Sequence, residues 1–150
     1  MDIVDKQTRS RMMAGIRGKN TKPELLVRRL LHKCGFRYRL HDSRLPGKPD
    51  LVFPKYGAVI FIHGCFWHGH QCSFFRLPGT RTDFWRTKIS DNRQRDRKNH
   101  KALSDSGWRI ATVWECALRG SSANPQGVTE QLTEWLSGNS NNITLLEIRG

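Results

Sequence analysis

Apolar residues recur with a helical period at the start of the chain, then with strand-like periods, then helically again. Leu26, Leu30 and Cys34 stand four apart, flanked by Leu25, Val27 and Leu31. Thr21-Lys22-Pro23-Glu24 just before them is a capping box, and Gly35 takes the C′ place just after. The pattern predicts a helix over about 22–34, with Cys34 as a small hydrophobe on its core face. Phe36-Arg37-Tyr38-Arg39-Leu40 alternates as a strand does. After the stiff loop Leu45-Pro46-Gly47-Lys48-Pro49 come two apolar runs, Asp50-Leu51-Val52-Phe53 and Ala58-Val59-Ile60-Phe61-Ile62. So short a connection, around Lys55-Tyr56-Gly57, predicts an antiparallel hairpin that brings Asp50 and His63 side by side.

From Thr82 to about Ser106 the apolar stripe is sparse: Phe84 or Trp85, Ile89, then Leu103. Seven-residue spacing puts Asp96 between Ile89 and Leu103 on the inward face of that helix, where a carboxylate needs a partner. Trp108 to Trp114 reads as a central strand that delivers Glu115-Cys116 at its end. A last amphipathic helix near 125–137 buries Val128, Leu132, Trp135 and Leu136. Residues 138–150 carry no pattern that assigns an element. Helix, strand, hairpin, helix, strand, helix predicts one α/β layered domain with a central mixed sheet flanked by helices.

Charge changes this picture. The chain carries a formal +13, and residues 1–120 hold 25 of the 26 Lys and Arg, so the basic character belongs to the body of the domain. A surface of this kind points to a polyanion, with nucleic acid favoured over an anionic membrane. No window reaches the ~18 apolar residues of a membrane span. The start of the chain also lacks an apolar signal core, so a cytoplasmic location is expected. Four cysteines in that setting read as thiols or metal ligands rather than disulfides. Residues 1–19 (Arg9, Arg11, Arg17, Lys19) read as a basic arm that meets the partner, 20–137 as the domain, and 138–150 as a tail.

The candidate chemistry gathers in Phe61-Ile62-His63-Gly64-Cys65-Phe66-Trp67-His68-Gly69-His70-Gln71-Cys72. Cys65, His70, Cys72 and Cys116 form a Cys3His set of the kind that closes around structural zinc. His63 and His68 are rival ligands. Asp50 is the candidate Mg2+ carboxylate, with the Ile62 backbone carbonyl beside it. His63 and His68 are candidate proton carriers, and Glu24 and Asp96 candidates to orient those imidazoles. Adjacent Phe66 and Trp67 cannot both face one interior.

Pro49-Asp50 followed by a strand ending Phe61-Ile62-His63 resembles the PD-(D/E)xK restriction-endonuclease core, with its later Glu and Lys replaced by Phe61 and His63. Four longer stretches are similar to the Vsr very-short-patch mismatch endonucleases: Pro-Gly-Lys-Pro-Asp, Phe-Ile-His-Gly-Cys-Phe-Trp-His, Thr-Arg-Thr-Asp-Phe-Trp and Val-Trp-Glu-Cys-Ala-Leu-Arg-Gly. That resemblance covers about residues 5–136. It implies a restriction-endonuclease-like fold with structural zinc on Cys65, His70, Cys72 and Cys116, and catalytic Mg2+ on Asp50 and the Ile62 carbonyl. It makes His68 the main acid–base group, with His63, Glu24 and Asp96 completing the site. Phe66, Trp67 and Trp85 become wedges in the DNA stack, and the arm with Arg9, Arg11 and Arg17 lies against the duplex. The implied activity is a nick 5′ to the thymine of a T:G mismatch, by a bacterial monomer acting at the nucleoid. Its implied partners are that duplex and other mismatch-repair proteins. Two readings from other classes stand beside it: a restriction-like duplex endonuclease with no mismatch requirement, and a non-catalytic zinc-stapled DNA-binding module.

Overall fold

In the computed structural model, residues 21–121, 123–138 and 143–150 are described. The hairpin is the spine of the molecule. Strand β2 (Leu51–Phe53) turns through a single 3-10 turn, Pro54–Tyr56, into β3 (Ala58–His63), and Gly57 takes the left-handed conformation that the reversal requires (φ 60°). The register pairs Leu51 with Ile60, Val52 with Val59 and Phe53 with Ala58. On the outer side β1 (Arg39–Leu40) pairs antiparallel with β2, while on the inner side β4 (Arg109–Trp114) runs parallel to β3. With β5 (Leu145–Ile148) parallel to β4, the described residues form a five-stranded mixed sheet in the order β1-β2-β3-β4-β5.

Alternation along the strands assigns the two faces. Leu51, Phe53, Ala58, Ile60, Ala111 and Val113 join the core with Val27 and Leu31 of α1 (Lys22–Lys33). Val128, Leu132, Trp135 and Leu136 of α3 (Pro125–Leu136) complete that layer, as the spacing predicts. Val52, Val59, Phe61 and Ile110 face the other way and take Leu103 of α2 (Thr82–Asp105). Among the described residues three helices therefore sandwich one sheet, and the single-domain α/β expectation holds.

Three local expectations need correction. The buried stripe of α1 is Glu24, Val27 and Leu31, so Cys34 is exposed and serves as the C-cap, ahead of Gly35 at φ 94°. The stripe is displaced because Glu24, a charged residue, occupies one of its buried places. The alternating stretch 36–40 pairs only at β1 (Arg39–Leu40), since Phe36 turns into the core against Phe53 and Tyr56. Finally, Leu145–Ile148, left without an element by its pattern, is β5, parallel to β4. It is an edge strand in which only Ile148 is buried, so its apolar residues do not follow an alternation of inward and outward faces.

Candidate active site

The hairpin places Asp50 at the entrance of β2 and Ile62-His63 at the exit of β3. Asp50 Oδ2 accepts the Ile62 N–H at 2.7 Å, so one carboxylate oxygen is fixed on the strand end. The other, Oδ1, lies 3.9 Å from His41 Nε2. Glu24 comes in from the first turn of α1, where the Thr21 hydroxyl accepts its backbone N–H. Its Oε2 is 2.7 Å from His41 Nε2 and accepts from Arg28 Nη1 at 2.9 Å. One ligand atom from each of Glu24, His41 and Asp50 lies within 4.8 Å of the others. Burial pushes the Asp50 carboxyl up to about 7; the Ile62 N–H opposes this, and the Glu24 carboxylate reinforces it. This corrects the expectation for Glu24, because the imidazole in its reach here is His41.

The second cluster hangs from α2. Asp96 Oδ2 meets His68 Nδ1 at 2.5 Å, which leaves Nε2 of that ring for other work. The His63 ring lies parallel to His68, centroids 3.7 Å apart, and is itself buried. Burial, together with the rings of His68 and His100, drives the His63 pKa well down, so this imidazole is held neutral. Its Nδ1 and the Nε2 of His100 are buried without a hydrogen-bond partner. Asp96 thus finds the partner its helix position demanded, whereas His63 forms the floor beneath His68.

Beyond His63 the chain leaves the sheet in a loop that folds back on itself. The Cys65 N–H donates to Glu115 and the Cys65 carbonyl accepts from His70. Asn92 of α2 donates to the Trp67 carbonyl at 2.9 Å. The four predicted residues Cys65, His70, Cys72 and Cys116 converge, with one ligand atom from each within 4.8 Å of the others. His63 and His68 belong to the neighbouring cluster and drop out as rivals. Cys65 is fully buried, and burial beside two further thiols pushes its pKa far up. His70 Nε2 is buried without a partner. Three thiols and the His70 imidazole, whose Nδ1 lies 3.6 Å from Cys116 Sγ, fit a closed metal site, which would take the thiols as thiolates.

The aromatic residues fringe this ground. Phe66, Trp67 and Trp85 touch one another edge to face, with centroids 5.2–5.7 Å apart. All three are half-buried, so neither residue of the Phe66-Trp67 pair belongs to the core. They line one cleft of ≈ 1290 Å³ with Glu24, Asp50, Ile62, His63, His68 and Asp96. Lys22, Lys48, Lys88, Arg95 and Arg119 bring positive charge to its walls. One cleft thus holds two sets of carboxylate and imidazole groups, flat apolar surfaces and five cationic side chains. Arg9, Arg11 and Arg17 lie outside the described residues. Sequence reasoning passed over His41, His100 and Asn92; the left-handed backbone of His41 (φ 46°) is invisible in the spacing of a polar loop.

Comparison with known proteins finds relatives that align with most of this chain. Residues 1–74 match the family model described as DNA mismatch endonuclease Vsr. The chain is 46% identical over 138 residues to the DNA mismatch endonuclease Vsr of Escherichia coli, covering 91% of this chain and 88% of that protein. It is 50% identical over 117 residues to the type II nicking enzyme V.XorIIP of Xanthomonas oryzae, covering 78% and 86%. The type II nicking enzyme V.NmeAIP of Neisseria meningitidis is also 50% identical, over 118 residues, covering 79% and 84%.

Proposed function

The chain belongs to the Vsr family of DNA mismatch endonucleases, and on that premise we propose that it nicks duplex DNA 5′ to the thymine of a T:G mismatch. The nick leaves a 5′-phosphate and opens very short patch repair of deaminated 5-methylcytosine. The observation that carries this reading is the cleft itself. It gathers a strand-end carboxylate, Asp50, a carboxylate-oriented imidazole, His68, and three aromatic rings into one cleft.

In this reading Asp50 and the Ile62 carbonyl hold a divalent cation, Mg2+, which when bound polarises the scissile phosphate and its water. Among the protein's own groups, His68 exchanges a proton at Nε2. Asp96 fixes the ring through Nδ1 and stabilises its charged form. His63, neutral and stacked under His68, keeps the ring plane aligned. Cys65, His70, Cys72 and Cys116 hold zinc with no open position, so that ion staples the loop to the end of β4 and does no chemistry. Phe66, Trp67 and Trp85 enter the stack beside the wobble pair. The basic arm, with Arg9, Arg11 and Arg17, contacts the backbone of the duplex. The fold reads as restriction-endonuclease-like, with the hairpin and β4 as its core, working as a cytoplasmic monomer.

A panel of duplexes with T:G, other mismatches and full pairing, with varied flanks and Mg2+ present, tests this. A single nick 5′ to the mispaired thymine is expected. Equal cutting of the matched duplex would make the protein a restriction-like nuclease, and binding without cutting a zinc-stapled reader.

A further inference from the structure

His41 has no place in the reading above, yet the fold goes to some trouble to position it. Its backbone sits at φ 46°, in the left-handed region that non-glycine residues seldom adopt and that tends to persist at functional sites. The His41 N–H donates to the Asp50 carbonyl, extending the β1–β2 ladder, so the strained residue is tied to the residue it serves. The ring is largely shielded, with 14% of the side chain exposed. Its Nε2 points between two carboxylates, 2.7 Å from Glu24 Oε2 and 3.9 Å from Asp50 Oδ1. Neighbouring ligands around one small ion stand at separations of this order.

We propose that His41 is a direct nitrogen ligand of the divalent cation at Asp50, completing a Glu24–His41–Asp50 set that favours ions accepting imidazole, such as Mn2+, over Mg2+. The inference rests on reading Asp50 as the metal carboxylate and adds the ion's chemistry to it. Mg2+ is a hard cation that keeps to oxygen and sheds water reluctantly, whereas imidazole suits transition ions. Without the ion His41 Nε2–H donates to Glu24; in binding the ring takes the Nδ1–H tautomer, and the Nε2 lone pair so freed turns to the ion. The other histidine cluster cannot do the same. His63 and His68 are parallel to within 1° and 3.7 Å apart, and lone pairs lying in two separated parallel planes do not meet at one ion.

The test is Mn2+ binding to the zinc-loaded full chain, followed by pulsed electron paramagnetic resonance for nitrogen coupling to the ion. The unaltered protein is expected to bind Mn2+ with a histidine nitrogen coupling. His41→Gln should lose that coupling and weaken Mn2+ by roughly tenfold or more, with much less change for Mg2+. Bound Mn2+ without nitrogen coupling in the unaltered protein, or coupling that survives His41→Gln, overturns the inference. The unaltered protein decides alone if the variant does not fold. Asp50→Asn separates the two levels of the argument. If it abolishes Mn2+ binding while no nitrogen coupling was present, only the His41 ligand is lost. If Mn2+ binding is undiminished, the ion sits elsewhere and the reading of Asp50 falls with it.

Discussion

At the scale of the residue, Asp50 is tuned against its own fold. An ordinary aspartate ionises near 3.8, and this one is pushed up to about 7 by burial first and by Glu24 beside it. The sign of the consequence is fixed by linkage. Below about pH 4 both folded and unfolded chains hold the proton, and Asp50 contributes nothing to the pH dependence. As pH rises from there through 7 the unfolded chain loses the proton more readily, so the metal-free protein loses stability. Above 7 the full penalty remains. Asp50→Asn should therefore stabilise the metal-free protein above pH 7, on the order of 1 kcal/mol or a few degrees in Tm. That gain should vanish near pH 4, while nicking is abolished and T:G binding is kept. Melting curves at pH 4, 6 and 8 with and without a divalent cation check this; equal melting of the two proteins at pH 8 would remove the argument. His68 belongs to the same scale. His68→Ala should slow nicking by roughly 10²–10⁴-fold, the range of one positioned acid–base group, with little change in DNA affinity. Single-turnover rates decide it.

At the scale of the element, the loop from Gly64 to Arg81 matters most, because it carries chemistry with little secondary structure of its own. It is held from two sides. The Cys3His cluster ties it to the turn after β4, and Gly69 packs it on α2, where an added Cβ would come within 2.7 Å of Ile89 Cγ2. Gly69 also sits at φ 62°. Gly69→Ala should therefore cost about 2–5 kcal/mol, adding a left-handed backbone penalty to overpacking. Urea midpoints measure it, and a change below about 0.5 kcal/mol would mean the loop rides free of α2. The zinc side is tested by content and stability together. The protein should purify with about one zinc, and Cys72→Ser or Cys116→Ser should lower both zinc content and Tm, because ligand binding energy here is folding energy. An active, stable preparation free of zinc would end that reading.

Elements also show what the sequence could disclose. The hairpin, α2 and α3 were legible because apolar runs, a short connection and a 3.6-residue stripe each allow one arrangement. The four cluster ligands were legible because residue type limits them sharply. The stripe of α1 was misread by one place, since hydrophobic counting passes over a buried glutamate, and Glu24 is buried for the sake of the site. His41 was missed for a related reason. It follows a two-residue strand in polar surroundings, and only the closed sheet swings its ring onto Glu24.

At the scale of the whole molecule, two kinds of affinity are divided between two surfaces, and they should be separable by salt. Helix α2 carries seven of the 26 Lys and Arg, and Arg93, Arg95, Arg97 and Lys98 among them are exposed. Contacts from such groups release counterions and bind any duplex, each phosphate contact adding about 0.9 to the slope of log K against log salt. The cluster of Phe66, Trp67 and Trp85 adds no charge. Its flat faces can enter only where the stack opens, and unstacking costs a few kcal/mol, less beside a mispair. On the proposed reading the wedge supplies selectivity and the helix supplies grip. Trp67→Ala should weaken T:G binding far more than matched-duplex binding, leaving the salt slope, the zinc content and the Tm nearly unchanged. Arg97→Ala should do the reverse, weakening both duplexes alike and lowering the slope by about 0.9 if it meets a phosphate. Titrations of both duplexes across a salt series measure all four quantities at once. Equal loss on the two duplexes for Trp67→Ala would return the aromatic cluster to a packing role and leave mismatch selectivity without a structural source.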